Sequence, residues 1–164
     1  MRKLISYILT ILLLSTTACA NGSRGIKSPD KGELSDMNIS IQITSDSGSH
    51  KLTATLADNS SAVAFYELLK KGPLTVDMHD YGNFEKVGSL GTSLPRNDTQ
   101  ITTTAGDIIL YQGNQITIYY DVNSWNFTRL GNVVSTSSTT TITQAELKKI
   151  LGKGDVTAVF SVME

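Results

Sequence analysis

The stretch Gly106–Gly131, GDIILYQGNQITIYYDVNSWNFTRLG, decides the fold. Two β-rich runs flank Gly113-Asn114. Glycine takes a positive φ at no steric cost, so this pair suits the two-residue loop of a tight hairpin. Such a loop sets Tyr111 opposite Ile116, Ile109 opposite Ile118 and Asp107 opposite Tyr120. Ile109, Tyr111, Ile116, Ile118 and Tyr120 then share one face, mostly apolar and turned to a core. The other face carries Ile108, Leu110, Gln112, Gln115, Thr117 and Tyr119, wet near the turn and apolar away from it. A hairpin apolar on both faces at its base lies centrally in a sheet or under a cover. Directly downstream, Asn123-Ser124-Trp125-Asn126-Phe127-Thr128-Arg129 places the only tryptophan among hydrogen-bonding side chains. That segment is the best candidate for a functional surface.

Working outward, Met37 to Thr44 alternates, with Met37, Ile39, Ile41 and Ile43 on one face, as in a half-buried strand. Asp46-Ser47-Gly48-Ser49 reads as a turn, and Leu52, Ala54 and Leu56 continue as a second strand. Asp58-Asn59-Ser60-Ser61 offers helix N-cap residues, followed by Ala62, Phe65, Tyr66 and Leu69 at helical spacing, and Gly72-Pro73 supplies the stop. Leu74, Val76 and Met78 alternate again, leaving Asp77 and His79 on the opposite face. Tyr81-Gly82-Asn83 reads as a turn and Glu85-Lys86 as a surface salt bridge worth little. Thr99 to Thr103 is a polar β-type run suited to a rim. Beyond the hairpin, the Ser/Thr tract 135–141 reads as an exposed loop or edge. Thr143-Gln144-Ala145-Glu146 is a capping box for a short helix that Gly152 closes. Val156, Ala158, Phe160 and Val162 form the buried face of a last strand. No internal repeat is visible, and residues 37–164 read as one domain.

The run GDI-x-LY-xx-NQI-x-I-x-Y, followed by NSW-x-FTRLG, resembles the bacterial cyclophilin-like domain family. LTVDMHDYGNFEKVGSLGTSLP, Leu74 to Pro95, is similar to the same family's succession of strand, aromatic-glycine turn, Glu-Lys and Leu-Pro turn. The likeness spans about Met37 to the C-terminus. It implies a mainly β fold, a closed antiparallel barrel with two short capping helices, and assigns no activity. Similar domains occur fused to flavodoxin-like domains, a hint of redox partners, but this sequence carries no flavodoxin-like portion.

Residues 1–19 read as an export leader: Arg2 and Lys3 are the positive start, and Leu4 to Leu14 an apolar run too short for a good membrane span. Ser15-Thr16-Thr17-Ala18 then leads to Cys19, resembling a bacterial lipoprotein site whose cysteine becomes lipidated, with Thr16 where leucine is usual. Ordinary cleavage after Ala18-Cys19-Ala20 is the alternative. Either way the expected location is outside the cytosol, and with lipidation it is the cell envelope, anchored to a bacterial membrane on its periplasmic or extracellular face. Cys19 is the only cysteine, so no intramolecular disulfide forms. Residues 20–36, polar and without periodicity, read as a flexible linker.

Composition narrows the function. Hydrophobic residues make up 40% of 164, enough for a real core. The net charge is −1, and loss of Arg2 and Lys3 with a leader leaves −3, with no basic cluster, so nucleic acid is not an expected partner. His79 beside Asp77 and Asp80 resembles a catalytic or metal corner. The one other histidine is His50, and a zinc site needs more convergent ligands, so no metal is expected. No nucleophile elbow, phosphate-cradling loop or dinucleotide fingerprint is present, and no cofactor is expected. Prolyl isomerisation, the activity of true cyclophilins, needs an arginine over the proline amide beside an apolar pocket. The Phe-His-Arg motif of those enzymes is missing here, although Trp125 and Arg129 offer a pocket wall and a cation. A binding module for a small molecule or peptide uses the residues more economically: Tyr81, Phe84, Tyr120, Asn123, Trp125, Asn126 and Arg129 suit an aromatic cleft with a polar rim. The competing reading has Trp125 and Phe127 packing the barrel while Arg129 neutralises Asp121 or a nearby carboxylate.

Overall fold

The computed structural model describes residues 37–134 and 141–163. The leader 1–19 with Cys19, the linker 20–36 and nearly all of the Ser/Thr tract lie outside the described residues. Among the described residues, nine strands and two helices follow in the order β1 (Asn38–Ser45), β2 (Gly48–Leu56), α1 (Ser60–Leu69), β3 (Leu74–Tyr81), β4 (Glu85–Ser89), β5 (Thr99–Thr102), β6 (Asp107–Tyr111), β7 (Gln115–Tyr119), β8 (Ser124–Val134), α2 (Gln144–Leu151) and β9 (Val156–Val162). All pairings are antiparallel, in the order β2-β1-β9-β3-β4-β7-β6-β8-β5, and a further β2–β8 pairing closes the sheet into a ring. Among the described residues, no helix is long and apolar enough to cross a membrane.

The ring interior holds the main core. Ile39, Ile41 and Ile43 of β1, Leu52, Ala54 and Leu56 of β2, and Val156, Ala158 and Phe160 of β9 all point inward, as their alternation predicts. Each fully buried side chain of this size contributes about 1.5–3 kcal/mol over exposure. Asn59 caps α1 by accepting from the Ala62 amide, and Phe65 meets Phe160 edge-on at 5.8 Å. Thr143 caps α2 by accepting from the Glu146 amide. The helices sit at opposite ends of the ring. Ile150 of α2 accepts hydrogen bonds from Ser45 and Ser47 at the β1–β2 turn, whereas Ser61 of α1 donates to Pro95 beyond the far ends of the strands.

The central hairpin forms one residue out of the predicted register. Tyr111 pairs with Gln115, Leu110 with Ile116 and Ile108 with Ile118. The turn is centred on Gln112 (φ 51°) and Gly113 (φ 81°), with the Asn114 amide donating to the Tyr111 carbonyl. A glutamine in the left-handed region is not legible from propensity, and a one-residue slip exchanges the faces of a strand. So Ile116, Ile118 and Tyr120 enter the core as expected, but on β6 it is Ile108 and Leu110 that join them. Ile109 and Tyr111 face outward, into a second cluster with Tyr119 and Phe127.

That second cluster exists because β8 serves two sheets. Its residues 128–134 close the ring against β6 and β2. Its residues 124–127 instead pair with β5. Gly131 marks the closure: a Cβ there would lie 2.5 Å from the Thr55 carbonyl oxygen. At the bend, the buried Thr128 hydroxyl donates to Asp98 and accepts from the Asn97 amide. The β5–β8 arm then lies back over the outer face of β6 and β7, with Phe127 5.6 Å from Tyr119 and Asn123 Nδ2 reaching the Tyr119 hydroxyl at 3.5 Å. The hairpin is apolar on both faces because the ring interior buries one and the arm covers the other.

Candidate functional site

Between the arm and the outer faces of β3, β4 and β7 lies a cleft of about 390 Å³. Strand alternation builds it. His79 and Tyr81 come from β3, Glu85 and Val87 from β4, and Tyr119 from β7, all outward neighbours through the His79–Val87, Tyr81–Glu85 and Glu85–Tyr119 pairings. The arm supplies Asn123, Trp125 and Phe127, while Tyr111 and Gln115 close the β6–β7 side. Phe84 reaches the cleft from the β3–β4 turn, where Gly82 and Asn83 both have positive φ and the Phe84 amide donates to the Tyr81 carbonyl. Its ring stacks on Tyr119 at 5.9 Å and takes the edge of Tyr81 at the same distance. Trp125 is 61% exposed and Tyr81 58%. Large rings left this open beside a concave surface are unusual unless something covers them.

Glu85 lies deep in this cleft, with 8% of the residue exposed. Its Oε2 and the nearby Thr117 Oγ1 are buried without hydrogen-bond partners. Burial pushes the carboxyl above its ordinary value. The hydroxyls of Tyr119 and Thr117 and the charge of His79 stand close enough to offset part of that, though neither hydroxyl closes a bond to Oε2. Burial and the adjacent Glu85 raise the Tyr119 hydroxyl well above the usual tyrosine range, so it stays protonated. A buried acceptor with no donor costs roughly 1–3 kcal/mol, a cost that a ligand supplying a donor would relieve.

Of the residues predicted for a site, Tyr81, Phe84, Asn123 and Trp125 meet in this cleft. Tyr120, Asn126 and Arg129 do not. Asn126 is exposed on the arm, opposite Gln100. Arg129 pairs with Asp107 at 3.1 Å; that buried carboxylate also accepts from the Thr104 amide and the Asn132 side chain. The Arg129 carbonyl accepts from Asn59, the cap of α1. Arg129 therefore ties the arm's base to the helix, and its carboxylate partner is Asp107, while Asp121 pairs with Lys148. Glu85, Tyr111, Gln115 and Tyr119 were not foreseen as site residues. Strand alternation sets Glu85 beside Val87 on one face of β4, but nothing local shows that β4 is a strand paired with β7. Among the described residues, no three His, Cys, Asp or Glu side chains group as a metal site.

A cyclophilin-like family model matches residues 45–161. The chain belongs to the cyclophilin-like family. Among solved structures, the chain is similar to the hypothetical protein AF2241 from Archaeoglobus fulgidus, with a TM-score of 0.51 and 14% identity, over 76% of this chain and 94% of that one. At that identity the likeness shows the fold alone. No curated protein matches the chain.

The cyclophilin-like ring has a second and larger hollow, about 820 Å³, at its α2 end. Here the Glu85-Lys86 surface pair expected from sequence is overturned: the two side chains point to opposite faces of β4, and both are buried. Lys86 turns inward, fully buried, and donates to Asp80 Oδ2 at 2.7 Å, to the Gly154 carbonyl at 2.6 Å and to that of Gly152 at 3.4 Å. Tyr120 donates to the same Asp80 oxygen at 2.7 Å, and the Lys86 and Lys148 ammonium groups lie 5.7 and 5.6 Å from its ring centroid. Burial raises the Asp80 carboxyl, but the Lys86 ammonium and the Tyr120 hydroxyl more than offset that and hold it below its usual range. The polar groups at the floor of this hollow already satisfy one another, so it fastens the end of the ring.

Proposed function

We propose that this protein is an envelope-anchored binding module whose ligand, a small molecule or peptide segment, occupies the outer-face cleft. One observation carries the reading: in a single concave site, the exposed Trp125 stands beside Glu85, whose buried Oε2 lacks a partner. Aromatic walls with a few polar groups at the floor and rim are the usual make-up of a ligand site. Divergent prolyl isomerisation uses these residues less well, because Arg129, engaged by Asp107, does not line the cleft.

The test is a fragment and peptide screen on the full chain, read by Trp125 fluorescence and thermal shift. Hits should shift the emission, raise Tm and fail against Trp125→Ala. A screen whose hits ignore Trp125, or that yields none, sinks the reading. The anchor is tested separately, by cell fractionation and by the mass of the mature N-terminus. Lipid on Cys19 with release of Cys19→Ala from membranes supports it; an unmodified chain beginning at Asn21 overturns it in favour of ordinary secretion.

A further inference from the structure

The character of the cleft goes beyond binding in general. Its floor holds one carboxyl group, Glu85, nine-tenths buried and with Oε2 unpartnered. Among the described residues no lysine or arginine lines the cleft. The surroundings are aromatic rings: Phe84 stacked on Tyr119, Phe127 tilted against Tyr119, and Trp125 open at the mouth. A ring face carries partial negative charge and attracts a cation within about 6 Å, most strongly where water is excluded. A buried carboxylate without a cation is an expensive group, and an incoming ammonium both supplies its missing donor and neutralises it. A small metal ion suits the cleft poorly, since it demands several converging oxygen or nitrogen ligands and, among the described residues, no three His, Cys, Asp or Glu side chains group as a metal site. A large, weakly hydrated organic cation suits both the carboxylate and the rings.

Resting on the binding reading above, we propose that the outer-face cleft takes an organic ammonium group, seated against the Glu85 carboxylate and enclosed by the aromatic rings around it. The same chemistry arrives either as a free amine or as a lysine side chain on a peptide. The pH dependence follows from the groups facing Glu85: His79 and Tyr81 from β3, Thr117 and Tyr119 from β7, Tyr111 from β6 and Trp125 from the arm. The carboxyl binds a cation only when ionised, and burial raises the pH at which it ionises. Affinity therefore falls as pH drops through that raised value.

The experiment titrates the full chain with two cations, choline and Nα-acetyl-lysine N-methylamide. Each is matched to an uncharged isostere, dimethylbutanol for the first and Nα-acetyl-norleucine N-methylamide for the second. Binding is read by Trp125 emission and by calorimetry. At least one cation should bind about tenfold or more tighter than its isostere. Which of the two does so separates free amine from peptide. The preference should vanish in Glu85→Gln and fade in wild type as pH falls, a readout that does not depend on any variant folding. Equal binding of cation and isostere overturns the cation while leaving the cleft a binding site. Silence from all four probes also overturns it, and the broader screen then decides the binding reading separately. A preference that survives Glu85→Gln removes Glu85 as the seat.

Discussion

Glu85 and Lys86 are neighbours in sequence, both buried, and meet opposite fates. Lys86 enters the end of the ring and finds a carboxylate and two backbone carbonyls. Glu85 enters the outer cleft, where Oε2 finds no partner. A fully partnered buried charge is structural, because breaking it is costly and a ligand could add nothing to it. A buried charge left unpartnered is a standing free-energy cost that a ligand can remove. The two sides of one five-residue strand thus differ in kind, the inner side engaged in holding the end of the ring and the outer side forming the floor of the cleft.

Four substitutions press on that contrast. The largest effect belongs to Lys86→Ala, which strands Asp80 and leaves a void. It should cost about 3–5 kcal/mol in urea unfolding, and a loss under 1 kcal/mol would mean that the inner network is not structural. Asp80→Asn keeps an acceptor for Lys86 but removes the charge, and should cost about 2–3 kcal/mol. Its effect also has a pH signature. A carboxyl held below its unfolded value stabilises the fold above that value, and the gain disappears as pH falls through the lower, folded value. The Asp80→Asn deficit should therefore shrink in strong acid.

Glu85→Gln should have the opposite sign. A carboxyl raised in the folded state favours folding most below its unfolded value and loses that advantage as pH rises through the raised value. Removing the charge should then stabilise the free protein at neutral pH, on the order of 1 kcal/mol, and chemical denaturation at acid and neutral pH would show the gain growing with pH. Destabilisation at neutral pH would mean that Glu85 has a structural partner after all. Trp125→Ala should be smallest, within about 0.5 kcal/mol, because the ring is mostly exposed. A large loss of stability there would make Trp125 a packing residue and weaken its claim to a ligand.

Much of the ring was legible. The alternation in β1, β3 and β9 gave their buried faces correctly, and the run Asp58–Ser61, which contains the cap Asn59, and the capping box at Thr143 marked where both helices start. These signals are local: period-two burial and a side-chain oxygen meeting a free amide need no knowledge of distant strands. What stayed hidden was non-local. Gln112 at positive φ shifted the central hairpin by one residue and turned Ile109 and Tyr111 outward. The partners of Lys86 include carbonyls beyond α2, so a lysine beside a glutamate looked like an exposed pair. The cleft itself exists because β8 leaves one sheet for another, and no residue pattern within it announces the bend at Thr128.

The placement of β9 has a consequence for how the chain comes to be folded. This strand is inserted between β1 and β3, the register of each being set by contact with it. Every strand made before it has a gap in the middle of its sheet until β9 emerges from the ribosome, and long-range pairings of this kind form slowly. Synthesis of the first eight strands therefore yields an open, unclosed chain. Until β9 is in place, the other eight strands can form at most an open sheet with β1 and β3 as its free edges, so β9 is the element that turns the sheet into a ring.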